Sequence, residues 1–235
     1  MRERILSGLA ALGLTPPEGA ADRLLLYSQR LLEKNQVMNL TAITQPEQVI
    51  DYHFLDSAAL LQSQDLNNKS VIDVGTGAGF PGLVLKILAP SIRLTLLDSL
   101  EKRLNWLEEL CRELRLDDVS FVHARAEEAS HLEAYRDHFE VAVSRAVAPL
   151  PLLCELCLPY VAPGGVFLAM KSVNADAELA QARNAIGILG GTQPAFLDYS
   201  VPHTDIIHRM IAISKVKPTP KGYPRRWSKM QKGNI

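Results

Sequence analysis

The sequence predicts an α/β fold: a mainly parallel sheet covered by helices on both faces, closed by an antiparallel hairpin and preceded by a helical cap. Three observations predict it. From residue 70 onward, short apolar runs alternate with longer amphipathic ones; a glycine-rich turn joins the first such run to the next helix; and two β-rich runs separated by four residues follow the last helix.

The elements follow in order. Leu24, Leu25, Tyr27, Leu31 and Leu32 recur at helical spacing, and Pro16-Pro17 separates this helix from a shorter one before it. Asn39 to Pro46 is a polar connection, Pro46-Glu47 suits the start of a short helix, and Asp56-Ser57-Ala-Ala-Leu-Leu continues the helical pattern after a loop. Ser70-Val-Ile-Asp-Val reads as a strand, Leu83 to Leu88 as a helix, and Ile92 to Asp98 as a strand. A helix over Glu101 to Leu116 then leads to strands at Val119 to Val122 and Phe139 to Ser144. A helix from Leu150 to Leu158, a strand from Gly165 to Lys171 and a helix from Ala175 to Ile186 complete the alternation, which implies right-handed crossovers. After Gly190-Gly191, the runs Thr192 to Val201 and Ile206 to Ser214 form a hairpin around Pro202 to Asp205. The expected division is a cap over 1–64, a sheet domain over 65–215 and a basic C-terminal arm over 216–235.

Composition bounds the function class. A chain of 235 residues, 47% apolar and 22% charged, can bury a full core. No run reaches the ~18 apolar residues that span a bilayer, and Met1-Arg-Glu-Arg-Ile leads into an amphipathic pattern, so the expectation is a cytoplasmic protein without membrane contact. Three cysteines do not make a disulfide framework; Cys154-Glu-Leu-Cys157 lies in an apolar run, as packed thiols on a helix face, and no metal site is expected. The net charge is −1, yet no acidic residue follows Asp205 while Arg209, Lys215, Lys217, Lys221, Arg225, Arg226, Lys229 and Lys232 do. A basic end on an acidic body suits a polyanionic partner.

The segment Val71 to Gly82 carries the chemistry. A strand running into Gly75-Thr-Gly77-Ala-Gly79 and then a helix supplies tight turning and close backbone approach for a nucleotide-bearing cofactor in a Rossmann-like sheet. Read from Gly77, the same residues satisfy GxGxxG, and Asp98 lies about 20 residues on, so the pattern alone also admits a dinucleotide. Three features bear on the choice. Asp73 at the strand end suits S-adenosylmethionine, which carries an α-amino group and a sulfonium where a dinucleotide carries pyrophosphate. Asp98 would accept from the ribose hydroxyls of either cofactor, and Ala126-Glu127-Glu128 would border an adenine or simply complement a helix start. The closing hairpin favours a methyltransferase.

The residues now in view resemble the bacterial 16S rRNA guanine-N(7) methyltransferase family RsmG, also called GidB. The resemblance runs through Asn39-Leu-Thr-Ala-Ile, His53-Phe-Leu-Asp-Ser57, Asp73 to Gly82, Leu97-Asp-Ser-Leu-Glu-Lys-Arg103, Arg125-Ala-Glu-Glu128, Val143-Ser-Arg-Ala146, Gly164-Gly165 with Lys171, and Tyr223-Pro-Arg-Arg226. It implies methyl transfer from S-adenosylmethionine to N(7) of a guanine in the decoding-region loop of 16S rRNA in the small ribosomal subunit. By match to the family's positions, Gly75, Phe80, Ala126, Glu127 and Arg145 would touch the cofactor; Gly77 and Asp98 join them on the physical grounds above. Arg145, Lys171 and His53, the last with Asp56, are the substrate-side candidates, with no certain catalytic residue, because guanine N(7) already offers a lone pair. Arg225, Arg226 and Lys229 would contact rRNA phosphates. A monomer is expected. Ser172 departs from the glycine that usually follows the lysine, and Trp227 to Lys232 replaces the usual proline-containing ending. Two rival readings stand beside this one: a methyltransferase with a different acceptor, and a methyltransferase-like RNA-binding assembly factor.

Overall fold

A computed structural model describes residues 1–233 and 235. Helices α1 (Arg2–Ala11) and α2 (Ala20–Met38) flank Pro16-Pro17 as their periodicity predicts. Next comes one unbroken helical run: α3 (Pro46–Val49), a π-helical turn (Ile50–Leu55), α4 (Asp56–Ala58) and a 3₁₀ turn (Ala59–Gln62). This corrects the loop expected before Asp56. The widened turn shifts the helix face by a residue, so that Phe54 and Leu55 enter the core while His53 and Asp56 border a cavity.

Strands and helices then alternate as β1 (Ser70–Val74), α5 (Gly82–Leu88), β2 (Arg93–Asp98), α6 (Glu101–Leu114), β3 (Val119–His123) and α7 (Ala126–Ala129). They continue as β4 (Phe139–Arg145), α8 (Leu150–Cys157), β5 (Val161–Ser172), α9 (Asp176–Ile188), β6 (Ala195–Ser200), β7 (Ile207–Ser214) and α10 (Trp227–Met230). The seven strands lie in the order β3-β2-β1-β4-β5-β7-β6. The first five are parallel; β7 runs antiparallel to β5, and β6 to β7, so the expected hairpin closes the sheet. Val71 sits beside Leu94 on one side and Val141 on the other. With Val71 to Val74 all buried, apolar but for Asp73, β1 reads as a strand covered on both faces. β5 begins earlier than expected, because a register shift opposite Phe139–Val141 lets it carry Gly164-Gly165 inside the strand.

The helical cap completes one face of this sheet. Ile5, Leu9, Leu24, Tyr27, Leu31 and Phe54 share a single buried cluster with Val71, Leu83, Leu94 and Leu107. The opposite face packs Leu153, Cys154, Cys157, Ala182, Ile186, Phe167 and Ile211 together. Cys154 and Cys157 are buried there, and burial pushes both thiols well above their usual range.

The basic C-terminal segment was expected to trail, and it is docked instead. Lys215 has no exposed surface; its Nζ donates to Leu158 O and Thr219 Oγ1, both at 2.7 Å, and pairs with Asp137. Arg136 donates to the carbonyls of Thr219, Pro220 and Tyr223 at 2.8–3.0 Å, and Arg225 pairs with buried Glu155 at 2.8 Å. Carboxylates and carbonyls of the body take up part of the positive charge.

Where α5 starts, a Cβ on Gly82 would lie 2.8 Å from Asp73 Oδ2 and 2.9 Å from Leu96 Cδ2. Gly82→Ala is expected to lower unfolding stability by about 1–3 kcal/mol, measured by urea denaturation. An unchanged midpoint would contradict this close approach of α5 to β1 and β2.

Candidate functional site

The chain crosses from β1 to β2 on one side of the sheet and reaches β4 on the other, so the carboxyl ends of β1 and β4 flank a crevice. The glycine turn fills its rim. Gly75, Gly77 and Gly79 have φ of 75°, 59° and 96°, conformations that side chains disfavour. Gly75 N and Thr76 N both donate to Leu97 O, Gly77 N donates to Asp98 Oδ2 at 2.9 Å, and the Tyr27 hydroxyl of the cap donates to Ala78 O.

Asp73 lies beneath the turn, outside the cavity lining, and its Oδ1 has no hydrogen-bond partner among the described residues. Its Oδ2 accepts from Thr76 Oγ1 at 2.8 Å and from Gly82 N at 2.9 Å, tying the strand end to the helix start, and it has no exposed surface. Burial pushes the carboxyl up to about 6, against the lowering effect of those two hydrogen bonds. The glycines also divide their work. Gly75 and Gly77 line the cavity. Gly79 instead packs against Leu83 and Leu107, and Gly82 against Asp73, so the last two glycines of the dinucleotide frame serve packing.

The cavity measures about 770 Å³. Its lining gathers Gly75, Gly77, Phe80, Asp98, Ala126, Glu127, Arg145, Lys171 and His53. On one side, the Asp98 carboxylate accepts from Gly77 N and Leu100 N, and Arg103 stands 3.4 Å away. Ala126 opens α7, with its carbonyl held by the Tyr160 hydroxyl at 2.6 Å, and Glu127 pairs with Arg125 at 2.5 Å. On the other side, Lys171 Nζ meets Glu178 at 2.7 Å and Ala148 O at 3.1 Å.

Arg145 forms the floor. Its Nη1 donates to Asp56 Oδ2 at 2.8 Å and Tyr52 O at 3.0 Å, and its guanidinium carbon lies 5.0 Å from the Phe80 ring centre. Arg145 Nη2 can only donate, so His53 Nδ1, 3.1 Å away, accepts. The His53 proton is therefore on Nε2, which donates to Thr41 Oγ1 at 2.8 Å. Burial, then the Arg145 charge, pushes His53 down to about 3, so the ring is neutral. Its face stacks on Phe80 at 4.6 Å.

The residues fit a nucleoside. Asp98 ends β2 beside Gly77, where an added Cβ would meet nothing closer than Gly75 O at 4.0 Å, leaving room for a ribose against the turn. The first turn of α7 offers backbone N–H groups and the Glu127 carboxylate, a pairing that matches the adjacent acceptor and donor on an adenine edge. Several residues at or behind the cavity wall escaped the sequence reading. Tyr199 and His208 reach Asp56 from the hairpin, at 2.8 and 2.7 Å, and Trp227 lies under Arg125. Local pattern carries no signal for such long-range partners; only the unusual ending drew notice to Trp227. Arg226 and Lys229 are exposed outside the lining, whereas Arg225 is committed to Glu155 and Gly233 O.

Comparison with known proteins agrees with this geometry. Residues 20–205 match the family model described as GidB, rRNA small subunit methyltransferase G. A protein of Alkaliphilus metalliredigens named ribosomal RNA small subunit methyltransferase G is 47% identical over 220 residues, covering 93% of this chain and 92% of its own. One of the same name from Alkaliphilus oremlandii is 45% identical over 236 residues, covering 100% and 99%. Among solved structures, TrmN from Thermus thermophilus superposes with a TM-score of 0.52 at 20% identity, over 71% of this chain and 53% of that one, a likeness of fold.

Because His53 stays neutral in the fold down to about 3 while its ordinary value is 6.5, the unfolded chain takes up its proton first as the pH falls. Stability from this group is complete above about 6.5 and is lost between about 6.5 and 3. The difference in unfolding free energy between wild type and His53→Asn is expected to shrink across that window. A difference independent of pH would contradict the buried neutral ring.

Proposed function

Because the chain belongs to the rRNA small subunit methyltransferase G family, we propose that it methylates N(7) of a guanine in the decoding-region loop of 16S rRNA, using S-adenosylmethionine. The observation that carries the reading is the cavity at the ends of β1 and β4, with Gly75, Gly77, Asp98 and Glu127 along one side, Lys171 along the other and Arg145 at its floor.

The donor supplies a methyl group on a sulfonium, an electrophile that the N(7) lone pair attacks directly. The protein has no proton to remove, and its groups are arranged accordingly. Both nitrogens of His53 are engaged, by Arg145 and Thr41, which suits a positioning role and not a base. Asp98 and Glu127 bind the nucleoside end, the glycine turn lets backbone approach the donor closely, and Arg145 and Lys171 border the side from which a guanine enters. Rate comes from alignment of donor and acceptor and from exclusion of water. Arg226 and Lys229 contact rRNA phosphates, adding affinity that salt weakens. Arg225 is left out of that set because its charge is spent on Glu155. The substrate is the small ribosomal subunit, and the enzyme works as a cytoplasmic monomer; among the described residues no helix is long and apolar enough to cross a membrane.

Small subunits lacking the modification, incubated with the protein and methyl-labelled donor, are expected to carry label at N(7) of one guanine of 16S rRNA. Label on protein or at another base position would overturn the acceptor, and tight subunit binding without label would favour an assembly factor. Gly77→Asp, which sets a second carboxylate beside Asp98, is expected to abolish donor binding. Replacing both Arg226 and Lys229 with Ala should reduce the slope of log affinity against log salt by roughly 1.5–2.

A further inference from the structure

The C-terminal segment brings an aromatic ring to the cavity. Trp227 opens α10, is half-buried, and lines the same space as Ala126 and Glu127. Its ring centre lies 5.0 Å from the Arg125 guanidinium carbon. Arg125 in turn holds the Glu127 carboxylate at 2.5 Å. Indole, guanidinium and carboxylate thus stand in series, from the segment to the end of the cavity that suits an adenine. Glu127 is only 6% exposed, whereas the Arg125 side chain is 46% exposed. Arg125 is thus held at the cavity wall between the indole face and the Glu127 carboxylate.

The ring is fixed from both directions along the chain. Before it, Arg225 donates through its backbone N–H and its side chain to Glu155, at 2.7 and 2.8 Å, and His131 Nε2 meets Pro224 O at 3.0 Å. After it, Met230 is buried in the cluster that holds Leu153 and Cys157. These anchors make the docked segment part of the cavity wall.

We propose that Trp227 is a donor-binding residue: its indole closes the adenine end of the pocket and, through Arg125, positions the Glu127 carboxylate. This rests on the reading that the cavity takes S-adenosylmethionine. The aromatic face attracts the Arg125 cation, which keeps the guanidinium over the wall and the carboxylate turned toward the ligand. A base-stacking platform for rRNA would be the other use of an indole, and there the effect falls on subunit binding and not on donor binding.

The test is titration of the full chain with S-adenosylhomocysteine, followed by calorimetry and tryptophan fluorescence. The chain has two tryptophans, and the other, Trp106, is 5% exposed in α6. Wild type and Trp106→Phe are expected to show a fluorescence change on binding, and Trp227→Phe to lose it. Trp227→Ala and Arg125→Ala should each weaken binding on the order of tenfold, the double variant little more than either, while Trp227→Phe, keeping an aromatic face, stays within about threefold of wild type. Wild-type affinity in Trp227→Ala, or a loss confined to the KM for small subunits, would overturn the proposal. Failure of the wild-type chain itself to bind S-adenosylhomocysteine would instead overturn the reading of the cavity.

Discussion

One buried carboxylate holds the separate parts of this molecule in register. Asp56, on the helical cap, is 2% exposed and receives Arg145 from the end of β4, Tyr199 from β6 and His208 from β7, all at 2.7–2.8 Å. Burial alone would raise its carboxyl; the hydrogen bond from His208 and the Arg145 charge outweigh this and hold it below its usual value. Removing one partner of such a buried pair strands the other charge, at about 3–5 kcal/mol. The cap therefore cannot lift from the sheet, nor the hairpin from the cap, without leaving Arg145 or Asp56 uncompensated.

The consequence reaches the glycine turn. Arg145 lies over Phe80, which stacks on Tyr27 at 5.4 Å and on His53 at 4.6 Å. Tyr27 also donates to Ala78 O, so the turn is gripped by the cap on both its aromatic and its backbone side. Asp73, turned inward, secures the same turn from below through Thr76 and Gly82. A methyl transfer that needs no proton removed depends mainly on such pre-set geometry.

The sheet was legible in the sequence because a parallel strand buried on both faces is mostly apolar, as Val71 to Val74 is but for Asp73, while Ile92 to Leu97 keeps Ile92, Leu94, Leu96 and Leu97 buried around Arg93 and Thr95. The hairpin was legible from two β-rich runs so close that no crossover helix fits between them. The helical run through Ile50–Leu55 was not, since a π turn has no composition of its own and Pro46 announces only where the run starts. The structural part of Asp73 was not legible, because the orphan N–H of Gly82 that its Oδ2 accepts leaves no mark in a charge pattern. The docked end was hidden for a different reason. Glu155, which takes Arg225, lies 70 residues away in an apolar run, and local charge counting sees a basic tail without its partner. For the site, resemblance to a family pointed to Ala126, Glu127 and Arg145, which spacing alone leaves ambiguous; the partners that hold them, Arg125, Trp227, Tyr199 and His208, became visible only in three dimensions.

If Asp56 is the common anchor, its loss must be felt in all the parts it joins. Amide hydrogen exchange of Asp56→Asn against wild type measures this directly. The helical run Pro46–Gln62, the strands β6 and β7 and the turn around Phe80 should all exchange faster together, with β2, β3 and α6 unchanged. Faster exchange confined to the few residues beside position 56 would contradict the account.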